Sequence, residues 1–99
     1  VDDGADAVFK ALADPTRRAL LDALVEREGQ TLFELCGRMA ATHGLTSSRQ
    51  AISQHLDVLE AAGLVQVRRE GRYRLHDVDT TPLRPLRERW LRPDERTDP

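Results

Sequence analysis

Apolar residues recur along this chain at helical spacing in five places and alternate with polar ones in a single stretch. Val8, Phe9 and Leu12, with the alanines around them, predict a short helix from about Ala5 to Ala13. Asp14-Pro15 restarts the chain, since Asp is a good N-cap and Pro suits a first helical position. Leu20, Leu21, Leu24 and Val25 form the stripe of a second helix, stopped by Gly29. Thr31 and Glu34 make a capping-box pattern, and Leu32, Leu35, Cys36 and Met39 follow at the spacing of a third helix. The polar stretch Ala40–Ser47 reads as a connection. Ser48 then caps a helix to about Ala62, with Gly63 as its stop. Thr81 is expected to cap a last helix, with Pro82 and Pro85 in its first turn and Leu83, Leu86 and Trp90 on one stripe.

Between Gly63 and Asp79 the period changes. Leu64–Arg69 has the character of a strand, Glu70-Gly71 reads as a turn, and Arg72–His76 returns with Tyr73 and Leu75 alternating. The helix before it has two unlike faces. Steps of about 100° point Ile52, Leu56 and Leu59 one way and Gln50, Ser53, Gln54 and Asp57 the other, with Arg49 in the first turn. Short amides, a hydroxyl and an arginine can read base edges, whereas a merely solvated face usually carries Lys and Glu. A reading helix followed by a basic hairpin is the order a winged helix-turn-helix needs. The expected fold is therefore mainly α with a small β-hairpin: about five helices plus a two-stranded wing. Residues 5–92 form its one domain, with disordered ends at 1–4 and 93–99.

Composition sharpens this picture. At 99 residues the chain suits a single modest core, and its net charge of −2 argues at first against a polyanionic partner. The distribution reverses that argument. Residues 1–34 carry eight acids against four bases, residues 35–76 three acids against six arginines, and residues 77–99 six acids against five arginines. Local field decides whether a polyanion is attracted, and the positive third holds the helix and the hairpin. No apolar run is long enough to span a membrane, no secretory signal is visible, and a lone cysteine suits a reducing compartment. The cytoplasm is the expected location.

The passages FKALADPTRRALLDAL (Phe9–Leu24) and SRQAISQHLDVLEAAGLVQVRREGRYRLHDVD (Ser48–Asp79) resemble the ArsR/SmtB family of small winged-helix repressors, over roughly residues 8–91. The resemblance implies a homodimer paired through the first and last helices, with Val8, Phe9, Leu12, Leu83, Leu86 and Trp90 at the interface. It implies binding to double-stranded DNA at a palindromic operator, released by an inducer. It also makes Thr31–Met39 the first helix of the DNA-binding pair, Ser48–Ala62 the recognition helix and Leu64–His76 the wing. Two departures stand out. The connection Ala40–Ser47 is longer than the family's tight turn. The positions that match a cysteine pair in many members are Thr31, Leu32 and Phe33, and Thr81–Leu91 has no histidine for the alternative metal site. No metal and no cofactor are therefore expected, and release falls to a non-metal signal or a separate effector-sensing protein.

The DNA-binding residues expected are Ser48, Arg49, Gln50, Ser53, Gln54 and His55 on the helix and Arg68, Arg69, Arg72 and Arg74 on the wing. Alternation sends Arg68 and Arg69 to opposite faces, so the four wing arginines cannot all reach DNA together. Cys36 reads as a small buried hydrophobe, and His76, Asp77 and Asp79 as a surface cluster weighed as a weak cation site. Arg17 and Arg18 are weighed between a structural ion pair and a DNA contact. No enzyme is expected: there is no phosphate-binding glycine loop and no nucleophile elbow. The alternative is a winged-helix module that acts through a partner protein rather than DNA.

Overall fold

A computed structural model of the chain describes residues 3–44 and 47–90. Its elements are α1 (Asp3–Leu12), α2 (Pro15–Glu26), α3 (Leu32–His43), α4 (Arg49–Ala61), β1 (Val65–Glu70), β2 (Tyr73–Val78), a 3₁₀ turn (Thr81–Leu83) and α5 (Arg84–Trp90). Five helices and one antiparallel hairpin are what the hydrophobic pattern predicts. The differences lie at the ends of elements.

Three of the four predicted N-caps, Asp14, Thr31 and Ser48, form as local chemistry requires. Asp14 Oδ1 accepts from the backbone N–H of Thr16 (2.7 Å) and Arg17 (3.2 Å). Thr31 Oγ1 accepts from Glu34 N–H, and Glu34 Oε1 accepts in return from Thr31 N–H. Ser48 Oγ accepts from Ala51 N–H at 3.0 Å. Each satisfies donors that a helix start leaves without intrahelical partners. Gly63, at φ +82°, closes α4: its N–H bonds to Glu60 O, and Leu64 N–H reaches back to Leu59 O. That pair of bonds needs a left-handed residue, which only Gly adopts without a steric penalty.

The core lies where α2, α3 and α4 meet the base of the hairpin. Leu20, Leu24, Leu35, Met39, Ile52, Leu59, Leu64 and Val65 are buried there, and Cys36 packs half-buried against them. Hairpin pairing runs from Val65↔Val78 through Arg69↔Arg74 to Glu70↔Tyr73. Directly opposed residues share a face, so Val65, Val67, His76 and Val78 turn toward the helices. Beyond the core, Arg69 and Arg74 continue the same face.

Several expectations are corrected. α1 starts at Asp3 rather than Ala5, so Asp3 and Gly4 are helical. α3 runs on through Ala40–His43 to a left-handed Gly44 (φ +63°), which shortens the apparent loop to five residues, of which 45 and 46 lie outside the described part. The small residues of that last turn lack the apolar stripe that would have announced it. α2 ends at Glu26, ahead of Gly29, because the buried Gln30 amide donates to Ala23 O (3.0 Å) and Arg27 O (2.6 Å). The hairpin turn is Gly71-Arg72, one residue later than expected, with positive φ at Gly71 alone, as a type II′ turn has. Thr81 does not cap α5: it begins the 3₁₀ turn, and Asp79 Oδ1 accepts from its N–H. Val25 of the α2 stripe is exposed. Of the expected disordered ends 1–4 and 93–99, residues 1–2 and 93–99 lie outside the described residues, as do 91–92 of the expected domain.

His76 differs most from its expected role. It is 6 % exposed, its Nδ1 lies 2.9 Å from Gln30 O, and its backbone pairs with Gln30 as a short bridge alongside β2. The histidine fastens the wing to the end of α2. Asp77 instead meets Arg68, and Asp79 meets Thr81 and the Gln66 amide, so the three side chains are engaged separately.

Candidate nucleic-acid interface

Burial of Ile52, Leu56 and Leu59 fixes the rotation of α4 about its axis. Arg49, Gln50, Gln54 and Asp57 are therefore exposed, with Ser53 and His55 half-buried on the flanks. The N-terminus of α4 at Ser48 is open to solvent, leaving a positive dipole end and free N–H groups on the same side. α4, the first turn of α3 and β2 enclose a groove of about 780 Å³. Arg49 and Ser53 line it from the helix, Arg72 and Arg74 from the wing, and Phe33 from α3. The helix α4 and the hairpin thus share one concavity, while Gln50 and Gln54 face out beside it.

The four wing arginines divide. Arg68 Nε donates to Asp77 Oδ2 and its Nη1 to Glu70 Oε2, both at 2.6 Å. Asp77 foremost raises the Arg68 pKa, so this guanidinium stays charged with its charge balanced by two carboxylates within the hairpin. Arg69, Arg72 and Arg74 have no acid at ion-pair distance among the described residues, and neither does Arg49. Arg69 and Arg74 stand directly opposite across the strands, a like-charge pairing that disfavours the hairpin unless an anion lies against it.

Neither Arg17 nor Arg18 forms a side-chain ion pair with an acid among the described residues. Arg17 Nε donates to Ala11 O (2.7 Å), its Nη2 to Lys10 O (2.9 Å), and Arg18 Nη1 to Leu12 O (2.6 Å). They satisfy the carbonyls that the end of α1 leaves open. A third bond joins Arg17 Nη1 to His55 Nδ1 at 3.2 Å. Phe33, off the stripe of Leu32, Leu35 and Met39, is 74 % exposed and stands in the groove rather than in the core, a role its position off that stripe signals. Of the residues expected at a pairing surface, Val8 is 2 % exposed and belongs to the protomer's own core, where it has no area to offer. Leu12, Leu83 and Leu86 are partly buried against that core. Phe9 and Trp90 are 44 % and 58 % exposed, their rings 6.0 Å apart, with the Arg89 guanidinium 5.2 Å from the Trp90 ring.

A helix-turn-helix domain family model matches residues 12–68, which span α2, α3, α4 and most of β1. An uncharacterised helix-turn-helix transcriptional regulator of Bacillus subtilis, YuzN, is 49 % identical over 86 residues, covering 87 % of this chain and 94 % of that protein. An ArsR-like transcriptional regulator from a Rhodococcus species has the same fold, with a TM-score of 0.75 and 34 % identity over 87 % of this chain and 72 % of the other. The chain belongs to the ArsR family. The transcriptional repressor SdpR of B. subtilis is a further relative, 36 % identical over 76 residues and 77 % of each chain. As an ArsR-family protein the chain is a DNA-binding transcriptional regulator with a winged helix-turn-helix fold. No helix among the described residues is long and apolar enough to cross a membrane.

Proposed function

We propose that this ArsR-family regulator acts in the cytoplasm as a homodimeric repressor that binds an inverted repeat in double-stranded DNA. The observation that carries the reading is the shared groove: unpaired arginines from α4 and from β2 line one concavity beside the exposed amides Gln50 and Gln54. Arg49 suits guanine, and Gln50 and Gln54 suit adenine, through bidentate contacts in the major groove. Ser48 and the first turn of α4 hold a phosphate, with Ser53 on base or backbone. Arg69, Arg72 and Arg74 add backbone affinity from the wing, and Arg68 contributes less because two carboxylates already hold it.

Two-fold pairing is supported by the exposed Phe9–Trp90 pair, where α1 and α5 come together. Half-sites then lie about one helical turn apart, roughly 10 base pairs. The positions that match the family's thiolates are Thr31, Leu32 and Phe33, so release follows a non-metal signal or a separate sensing protein. Fluorescence anisotropy on a selected inverted repeat and on a scrambled duplex, each at two salt concentrations, tests the reading. The repeat is expected to bind at least a thousandfold tighter than the scrambled duplex, and both affinities to fall steeply with salt. Equal affinity for both duplexes would contradict it.

A further inference from the structure

We infer that Arg17 is a positioning residue for DNA binding: it fixes the His55 ring of α4 with Nδ1 turned to the guanidinium and Nε2–H directed to a backbone phosphate. The inference rests on the reading of α4 as the recognition helix. A guanidinium has five N–H donors and no acceptor. A hydrogen bond from Arg17 Nη1 to His55 Nδ1 at 3.2 Å therefore requires the lone pair on Nδ1. The ring proton is left on Nε2, which has no partner among the described residues. Arg17 can impose this because it is not a mobile surface side chain. Its bonds to Lys10 O and Ala11 O fix the guanidinium plane before His55 is considered.

Position completes the argument. His55 is half-buried on the flank of α4, next to the exposed Gln54 and one residue before the buried Leu56. With the Gln50 and Gln54 side of α4 in a major groove, that flank lies along a strand, where donors meet phosphate oxygens. A ring held from its other nitrogen gives a hydrogen bond of fixed direction. One guanidinium consequently ties the C-terminal end of α1 to the DNA-facing surface.

The test uses the full chain with Arg17→Gln, His55→Ala and the double variant, measured by anisotropy on the selected repeat well below each unfolding midpoint. His55→Ala is expected to weaken binding about tenfold. Arg17→Gln is expected to weaken wild-type binding severalfold and to cause no further loss in the His55→Ala background. Long-range ¹H–¹⁵N spectra of the wild-type imidazole, which need no variant to fold, are expected to show the Nε2–H form. Equal losses from Arg17→Gln in both backgrounds, an unchanged affinity in His55→Ala, or a proton on Nδ1 would each overturn the inference. All three would leave selective binding through Gln50 and Gln54 intact, so its failure is distinguishable from failure of the recognition-helix reading.

Discussion

Asp14 shows how much one side chain settles at the residue scale. Slight burial works against its ionisation, but the N–H groups of Arg17 and Thr16 outweigh that and hold its pKa below the ordinary 3.8. A carboxylate with a depressed folded pKa contributes stability that is fully present above its unfolded value and is lost as pH falls through the folded one. Asp79 acts the same way, held down first by Thr81 N–H. Thermal unfolding should therefore hold its midpoint down to about pH 3.8 and show it falling as the pH drops below that value. Asp14→Asn, which keeps a cap but cannot titrate, should flatten that decline, and an identical decline would assign the acid sensitivity elsewhere. Asp14→Ala should cost about 1 kcal/mol in denaturant unfolding. Arg17 and Arg18 stand across the same corner, so the ADPTRR passage works as a joint: one residue starts α2 while two others finish α1.

Among the elements, α4 and the wing have separable tasks. Gln54→Ala should relax base preference and cost about 1–3 kcal/mol on the selected site. Competition against single-base variants checks this, and unchanged selectivity would remove α4 as the reader. Arg72→Ala should flatten the log-affinity against log-salt slope by about one unit. Arg68→Ala should leave the slope nearly unchanged, because Asp77 and Glu70 already hold that guanidinium. Equal slopes for the two variants would contradict the division of the wing arginines. The outline of α4 was legible because its cap, its 3.6-residue stripe and its glycine stop agree. The last turn of α3 was not, since Ala40–His43 carry no stripe and only the left-handed Gly44 marks their end. The turn slipped by one residue because Glu70-Gly71 and Gly71-Arg72 are both plausible centres until pairing across the strands chooses. The roles of Gln30, His76 and Arg17 depend on partners as many as 46 residues away, beyond any local pattern.

For the whole molecule, the charge divided along the sequence becomes charge divided in space. Arg49, Arg72 and Arg74 line the groove between α4 and the wing, and two of the exposed aromatics, Phe9 and Trp90, meet where α1 approaches α5. If that second surface pairs two copies, Phe9→Asp should shift sedimentation from dimer to monomer and weaken binding to the full repeat far more than to a half-site. A variant that stays dimeric would place the pairing surface elsewhere. Trp90→Ala should act in the same direction, removing both the Phe9 contact and the Arg89 contact. The most direct measurement of the central claim is methylation interference on the selected repeat, because it separates the grooves. Guanine N7 lies in the major groove and adenine N3 in the minor groove. The account predicts that N7 methylation within each half-site abolishes binding, and binding indifferent to N7 methylation would contradict it.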